Sequence, residues 1–229
     1  MKVALLLSGN MTDWTVHYVY FKRYLLDHYD IDVFISTWKG YKVDEIEGVR
    51  PGNTYNPITF DVQDYERGFE NTWSKITEPF EVIKEKNTNL NNCMSMWYKT
   101  QRVNELKNEY QSLIGVNYDL VIKTRPDLKL EKRVVLEKPK KNTLYIPKGW
   151  DWSEGINDLF AYGNSKVMDV YSDLFSRITY LMQECKIKIN PEVLLKNYIN
   201  NSEGIKLKRP LIDMTLRDIN IKETYNFPK

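Results

Sequence analysis

The stretch 118–130, YDLVIKTRPDLKL, constrains the fold of this chain more than any other. Leu120, Val121 and Ile122 form an apolar run of the kind found in strands buried on both faces. Lys123, Arg125, Asp127 and Lys129 follow at once, with Pro126 among them. A strand that turns from apolar to charged so abruptly is leaving a core and entering a cleft. In open α/β sheets, ligands bind beyond the carboxyl ends of the strands. Asp127 is therefore the leading candidate for a metal-binding or catalytic carboxylate. The plainer alternative is a turn residue after Pro126, paired with Arg125 or Lys129.

Strand and helix patterns alternate along the rest of the chain, as in an α/β fold with a mostly parallel sheet. Strands are expected at 3–7, 32–36, 58–62, 118–124, 144–147 and 159–162, with an edge strand near 205–208. The spacing predicts helices over 15–29, 64–76, 91–113 and 165–185. Another helix starts at Pro191, with Asn190 as its cap. In the 91–113 helix, Leu113 is expected on the buried side, and Gly115 ends the helix. The segments 39–54 and 77–88 read as loop or irregular structure.

Bulk properties exclude several classes. At 229 residues the chain suits one domain. It should bury roughly 70% of its unfolded surface, so it needs no staples. Cys93 and Cys185 are too few and too far apart for a zinc site or a disulfide framework, and free thiols are expected. The net charge of +2 leaves no footprint for nucleic acid. The N-terminal run MKVALLLSGN is too short to cross a membrane and lacks a small-residue cleavage site. A soluble, cytoplasmic protein is the expectation. No GxxxxGK or GxGxxG fingerprint is present.

The order of LLLSGN, DVFISTW, SMWYKTQRVNELK, YDLVIKTRPDL, LYIP, GINDLFAYG and NPEVLLKNYI resembles nucleotide-sugar-dependent glycosyltransferases of the GT-A fold. It is most similar to the small soluble forms of large DNA viruses and bacterial surface-polysaccharide clusters. The resemblance covers roughly residues 1–200. It implies one GT-A-like domain, with 1–125 as the nucleotide-binding half and 126–229 as the acceptor half. It also implies transfer of a sugar from a nucleoside-diphosphate donor, uridine-linked by family habit, to a hydroxyl of a glycan or glycoconjugate.

Specific residues carry the implied roles. Asp127 matches the second Asp of the family's metal motif, which holds Mn²⁺ or Mg²⁺; Arg125 stands in place of the first and is suited to phosphate. Ser8, Gly9 and Asn10 would line the nucleotide, with Thr37 and Trp38 ending the next strand beside it. Lys99 would reach the diphosphate from its helix. Asp158 would serve as the acceptor-side carboxylate, a general base on the attacking hydroxyl or a group that orients the donor sugar, the plainer alternative being a cap or turn residue. Trp150 and Trp152 are read either as platforms for a sugar face or as core. Glu192 is read as complementing a helix dipole, while family position puts it near the cleft. The rival readings are another nucleotide-dependent α/β enzyme and a non-catalytic binding module descended from a transferase.

Overall fold

Strand β1 (Lys2–Ser8) lies near the middle of the sheet because its side chains are apolar on both faces. Val3, Leu5 and Leu7 enter one hydrophobic cluster, while Ala4 and Leu6 enter the other. Burying each such leucine stabilises the fold by about 1.5–3 kcal/mol. The computed structural model describes residues 1–11, 13–39, 51–65, 69 and 90–216. The helix expected over 64–76 falls largely outside these residues. The irregular stretch 77–88 and most of the loop 39–54 fall outside them too.

Seven strands form one sheet in the order β3-β2-β1-β4-β7-β6-β8. The further strands are β2 (Asp30–Trp38), β3 (Thr59–Gln63), β4 (Leu120–Thr124), β5 (Leu128–Leu130), β6 (Thr143–Tyr145), β7 (Phe160–Gly163), β8 (Lys206–Lys208) and β9 (Met214–Leu216). β1 pairs in parallel with β2 and β4, β2 with β3, and β6 with β8. β7 runs antiparallel to β4 and β6. The α/β class and the mostly parallel sheet are as the sequence predicts, and the strand leading to Asp127 is central. β5 and β9 pair as a separate antiparallel ribbon that no sequence signal predicts.

The helices are α1 (Trp14–Tyr24), α2 (Pro51–Thr54), α3 (Leu90–Ile114), α4 (Ser165–Ser172), α5 (Leu174–Gln183) and α6 (Pro191–Asn200). α1 stops earlier than expected, where Leu25 leaves helical geometry at φ −136°, and a single 3₁₀ turn follows over Leu26–His28. The long helix expected over 165–185 divides at Asp173, whose N–H is shared between the Asp169 and Val170 carbonyls. Gly115, at φ +73°, ends α3 as predicted. Leu113 is exposed rather than buried. The Asn190 side chain accepts from Val193 N at 3.0 Å, so the predicted cap of α6 is in place. Cys93 and Cys185 are free. No described helix is long and apolar enough to cross a membrane.

α3 is docked by an ionic hub. Lys107, with no exposed side-chain surface, reaches Ser165 Oγ at 2.8 Å and Asp169 Oδ1 at 3.0 Å. Asp169 Oδ1 also accepts from Asn104 and Asn108. These bonds fix the rotation of α3 against α4. The amino end of α3 is thereby aimed at the carboxyl ends of the central strands.

Candidate active site

Topology makes the cleft. The strand order reverses across β1, with β2 and β3 on one side and β4 on the other, and such a switch point opens a crevice at the carboxyl ends. β7 runs the opposite way, with Thr124 paired to Phe160. The residues before β7 therefore meet the residues after β4. That antiparallel reversal brings Asp158 to Arg125 and Asp127.

The resulting cleft has a volume of about 630 Å³. Ser8, Gly9, Asn10 and Trp38 line one end, with the first residues of α3 above them. Arg125, Asp127 and Asp158 line it where β4 ends and β7 begins, together with Trp152 and Glu192, whose charge reaches both Arg125 and Cys93. Gly9 adopts φ +104°, which favours glycine, and no atom lies within 4 Å of a Cβ placed there. The glycine is needed for the turn, and the space beside it is open to the cleft.

Arg125 and Asp127 form a bidentate pair. Nε donates to Oδ1 at 2.9 Å and Nη2 to Oδ2 at 2.7 Å. Burial opposes the Arg125 charge, but the Asp127 pair outweighs it, aided by Asp158 and Glu192, and the guanidinium is held above its ordinary value. This pairing is the plainer of the two alternatives for Asp127. It also bears on the expected metal. Both Asp127 oxygens are engaged, and the neighbouring motif position is a cation. Among the described residues no group of three or more His, Cys, Asp or Glu side chains is placed to hold a metal ion. As arranged, these residues do not fit a divalent-ion site at Asp127, and no step is assigned to one.

Asp158 is the opposite case. The residue is 3% exposed, yet it lines the cleft. Its backbone carbonyl accepts from Lys123 Nζ at 2.7 Å and from the Tyr171 hydroxyl at 3.5 Å. Among the described residues its carboxylate takes no hydrogen bond and no ion pair. Its oxygens open to the cleft rather than being sealed in the core, so the carboxylate can meet a ligand there. Lys123 lies fully buried beneath it, near the Trp97 ring. Burial, with Arg125 adding to it, pulls the Lys123 ammonium down to about 8 against the opposing fields of Asp158 and Asp127.

Other expected residues are placed differently. Lys99 does not line the cleft. It is buried beneath Trp38, 4.0 Å from the ring centroid, with Nζ bonded to Gln63 Oε1 at 2.8 Å and 3.5 Å from Asp61. Burial lowers it to about 8, with Asp61 opposing. A side chain facing the sheet cannot serve a diphosphate in the cleft, so Lys99 supports Trp38. Thr37 is fully buried and likewise does not line the cleft. Trp38 itself lines it, stacked on Tyr98 at 5.7 Å. Trp150 and Trp152 are exposed, so neither is core. Cys93, at the start of α3, faces the cleft, and burial together with Asp158 and Glu192 pushes its thiol up, which leaves it inert.

The 149–158 segment is strained. Gly149, Trp150, Ser153 and Glu154 all have positive φ, at 85°, 58°, 48° and 63°. Such a conformation costs about 1–3 kcal/mol for each non-glycine residue. Hydrogen bonds hold it: Asn157 donates to the Gly149 carbonyl at 3.0 Å, and its own N–H binds Asp151 Oδ1 at 2.9 Å. Arg209 pairs with the same Asp151 oxygen at 2.6 Å. Ile156 N binds the Glu192 carbonyl at 3.1 Å. Gly155 is pressed so close to α6 that a Cβ there would sit 2.3 Å from the Glu192 carbonyl carbon. Family position puts Glu192 near the cleft, but a glutamate in a first helical turn has an ordinary explanation, so the sequence does not single it out as a site residue.

No protein-family model matches this chain, and no curated protein is significantly similar in sequence. Among solved structures, the apo form of mouse xyloside xylosyltransferase 1 is similar in fold. Its TM-score is 0.51 at 9% sequence identity, over 92% of this chain and 85% of that one. At that identity the likeness shows the fold alone, a GT-A-like α/β sheet flanked by helices. It does not reach the viral and bacterial groups that the motif order resembles.

Proposed function

We propose that this chain is a glycosyltransferase that moves a sugar from a nucleoside-diphosphate donor, uridine-linked by analogy, to a hydroxyl of a glycan or glycoconjugate. The observation that carries this reading is the Asp158 carboxylate, which lines the cleft within reach of Arg125 and takes no hydrogen bond from the described residues. In the proposed reaction Asp158 accepts the proton of the acceptor hydroxyl as it attacks. Arg125 offers its guanidinium to the leaving diphosphate, and Asp127 holds that guanidinium in plane. Ser8, Gly9, Asn10 and Trp38 take the nucleoside end. Residues 1–125 then form the donor half and 126–229 the acceptor half, with Arg125 at the seam.

The divalent ion implied by the resemblance would have to displace Arg125 from Asp127, so a chelator belongs in the assay. Arg125 in place of the motif's first carboxylate favours a second reading, a sugar-nucleotide-binding module without turnover. Nucleoside diphosphate released from a panel of sugar nucleotides separates the two. The proposal expects slow release from at least one donor, with and without chelator. It also expects a loss of roughly 10²–10⁴-fold in Asp158→Asn, the range for removing a general base. Binding without release in any mixture supports the second reading. Neither binding nor release overturns both.

A further inference from the structure

One cation in the core has no carboxylate bonded to it among the described residues. Lys123 belongs to β4, a strand buried along its whole length, and its own side chain has no exposed surface. The other fully buried lysines each reach a carboxylate: Lys99 lies 3.5 Å from Asp61 and Lys107 3.0 Å from Asp169. Lys123 Nζ instead donates to a backbone carbonyl, that of Asp158, at 2.7 Å, with the Trp97 ring 5.6 Å away. Burying an ammonium without a bonded counter-ion is costly. Methionine has nearly the same length and would fill the site without that cost. Packing alone therefore does not account for a lysine here.

Lys123 holds the main chain of Asp158 at the point where the sheet gives out. The paired residues of β4 and β7 run from Val121 with Gly163 to Thr124 with Phe160, so residue 158 lies beyond the last of them. There the donor to its carbonyl is a side chain from within β4, joined by the Tyr171 hydroxyl at 3.5 Å. Along the chain, Asn157 Oδ1 accepts from Leu159 N at 2.8 Å. With its main chain fixed in this way, Asp158 lines the cleft with its side chain. The ammonium also acts through space. The charged groups that bear on Lys123 are Asp158, Arg125 and Asp127, and Asp158 has the largest effect of the three. Such a coupling is mutual, so the Lys123 charge favours the ionised carboxylate.

We propose that Lys123 is a positioning residue of the cleft: its buried ammonium fixes the main chain of Asp158, favours the ionised form of that carboxylate, and acts on the reaction only through Asp158. The role rests on the transferase reading, in which Asp158 is the base; the coupling of the two residues does not.

The coupling is tested without donor, in protein labelled with carbon-13 lysine. The Lys123 Cε resonance, assigned through its backbone, titrates near 8. Asp158→Asn removes the charge that supports the ammonium and should lower that midpoint by about half a pH unit or more. Lys99, whose partner is Asp61, is the control and should not move. A Lys123 midpoint unchanged in Asp158→Asn overturns the proposal, whether or not Lys123 variants fold. The role is tested by donor release with acceptor present. Lys123→Met should lower kcat by about 10–100-fold, as for a displaced catalytic group, with the donor KM kept within about twofold. On the residual rate of Asp158→Asn the same substitution should cost nothing more. Wild-type turnover in Lys123→Met overturns the role, as does a loss that repeats in full on Asp158→Asn. If wild type releases no donor, the transferase reading fails and the role with it, while the lysine titration decides the coupling separately.

Discussion

The two walls of the cleft are built in different ways. Where β1, β2 and β4 end, the strands are buried on both faces, and the cleft residues sit where regular strands stop. On the other wall, the 149–158 loop carries three non-glycine residues at positive φ and is held by Asn157, Arg209 and the Gly155 contact. The first wall is positioned by hydrophobic burial, which is non-directional and large. The second is positioned by a few directional contacts that must offset backbone strain. Damage at the first should therefore lower stability before function, and damage at the second should do the reverse.

The sharpest way to break that contrast is a pair of substitutions. Leu6→Ala removes a fully buried side chain from β1 and should destabilise by about 2–5 kcal/mol, read by chemical denaturation. Gly155→Ala forces a Cβ against the α6 backbone and should cost about 1–3 kcal/mol. Its acceptor use should nevertheless fall further than that of Leu6→Ala, measured where both remain folded. Equal effects on transfer would erase the distinction between the two walls.

Buried lysines give a smaller, pH-dependent effect. Lys99 and Lys123 are held near 8 when folded and near 10.5 when unfolded. Between those values the unfolded chain binds more protons, so stability contributed by these groups rises with pH. The slope is at most about 1.4 kcal/mol per pH unit for each lysine. It should be read below pH 10, because Tyr55 and Tyr118, raised by burial, oppose it above. Lys123→Met should flatten the slope measured by denaturation from about pH 8 upward; an unchanged slope would remove Lys123 from the account. The smallest effect belongs to the loop strain. Glu154→Gly relaxes a residue at φ 63°, whose contact with Lys196 is made by its backbone carbonyl, and should stabilise by under about 1 kcal/mol. A loss of stability there would place the strain elsewhere.

The strand ends were also the more legible in sequence. Runs such as Val3–Leu7 and Leu120–Ile122 announce strands buried on both faces, and Gly115 and the Asn190-Pro191 pair mark helix boundaries through local backbone chemistry. Asp158 could be nominated, but its meeting with Arg125 depends on β7 running antiparallel, which no local pattern encodes. Lys99 misled because helical spacing fixes a face without saying which face the sheet covers. The pairing of Arg125 with Asp127 was an open alternative, since two residues on one turn either share a ligand or bind each other. Leu216 reaches the cleft on a strand too short to show a period. Gly155 gave no signal, because the Glu192 backbone that it meets is distant in sequence.

The most direct test of the donor site is thermal stability with nucleoside diphosphates and their sugar conjugates, for wild type, Arg125→Ala and Asp127→Asn. A ligand that binds the folded state raises Tm. The account predicts a rise with one nucleoside diphosphate that persists in chelator. It also predicts that Arg125→Ala weakens this binding roughly 10–100-fold, as for lost charge-assisted hydrogen bonds, and that Asp127→Asn weakens it less. A rise that needs Mn²⁺ and falls more in Asp127→Asn would move the charge from the guanidinium to a metal. No rise with any nucleotide would contradict the donor site itself.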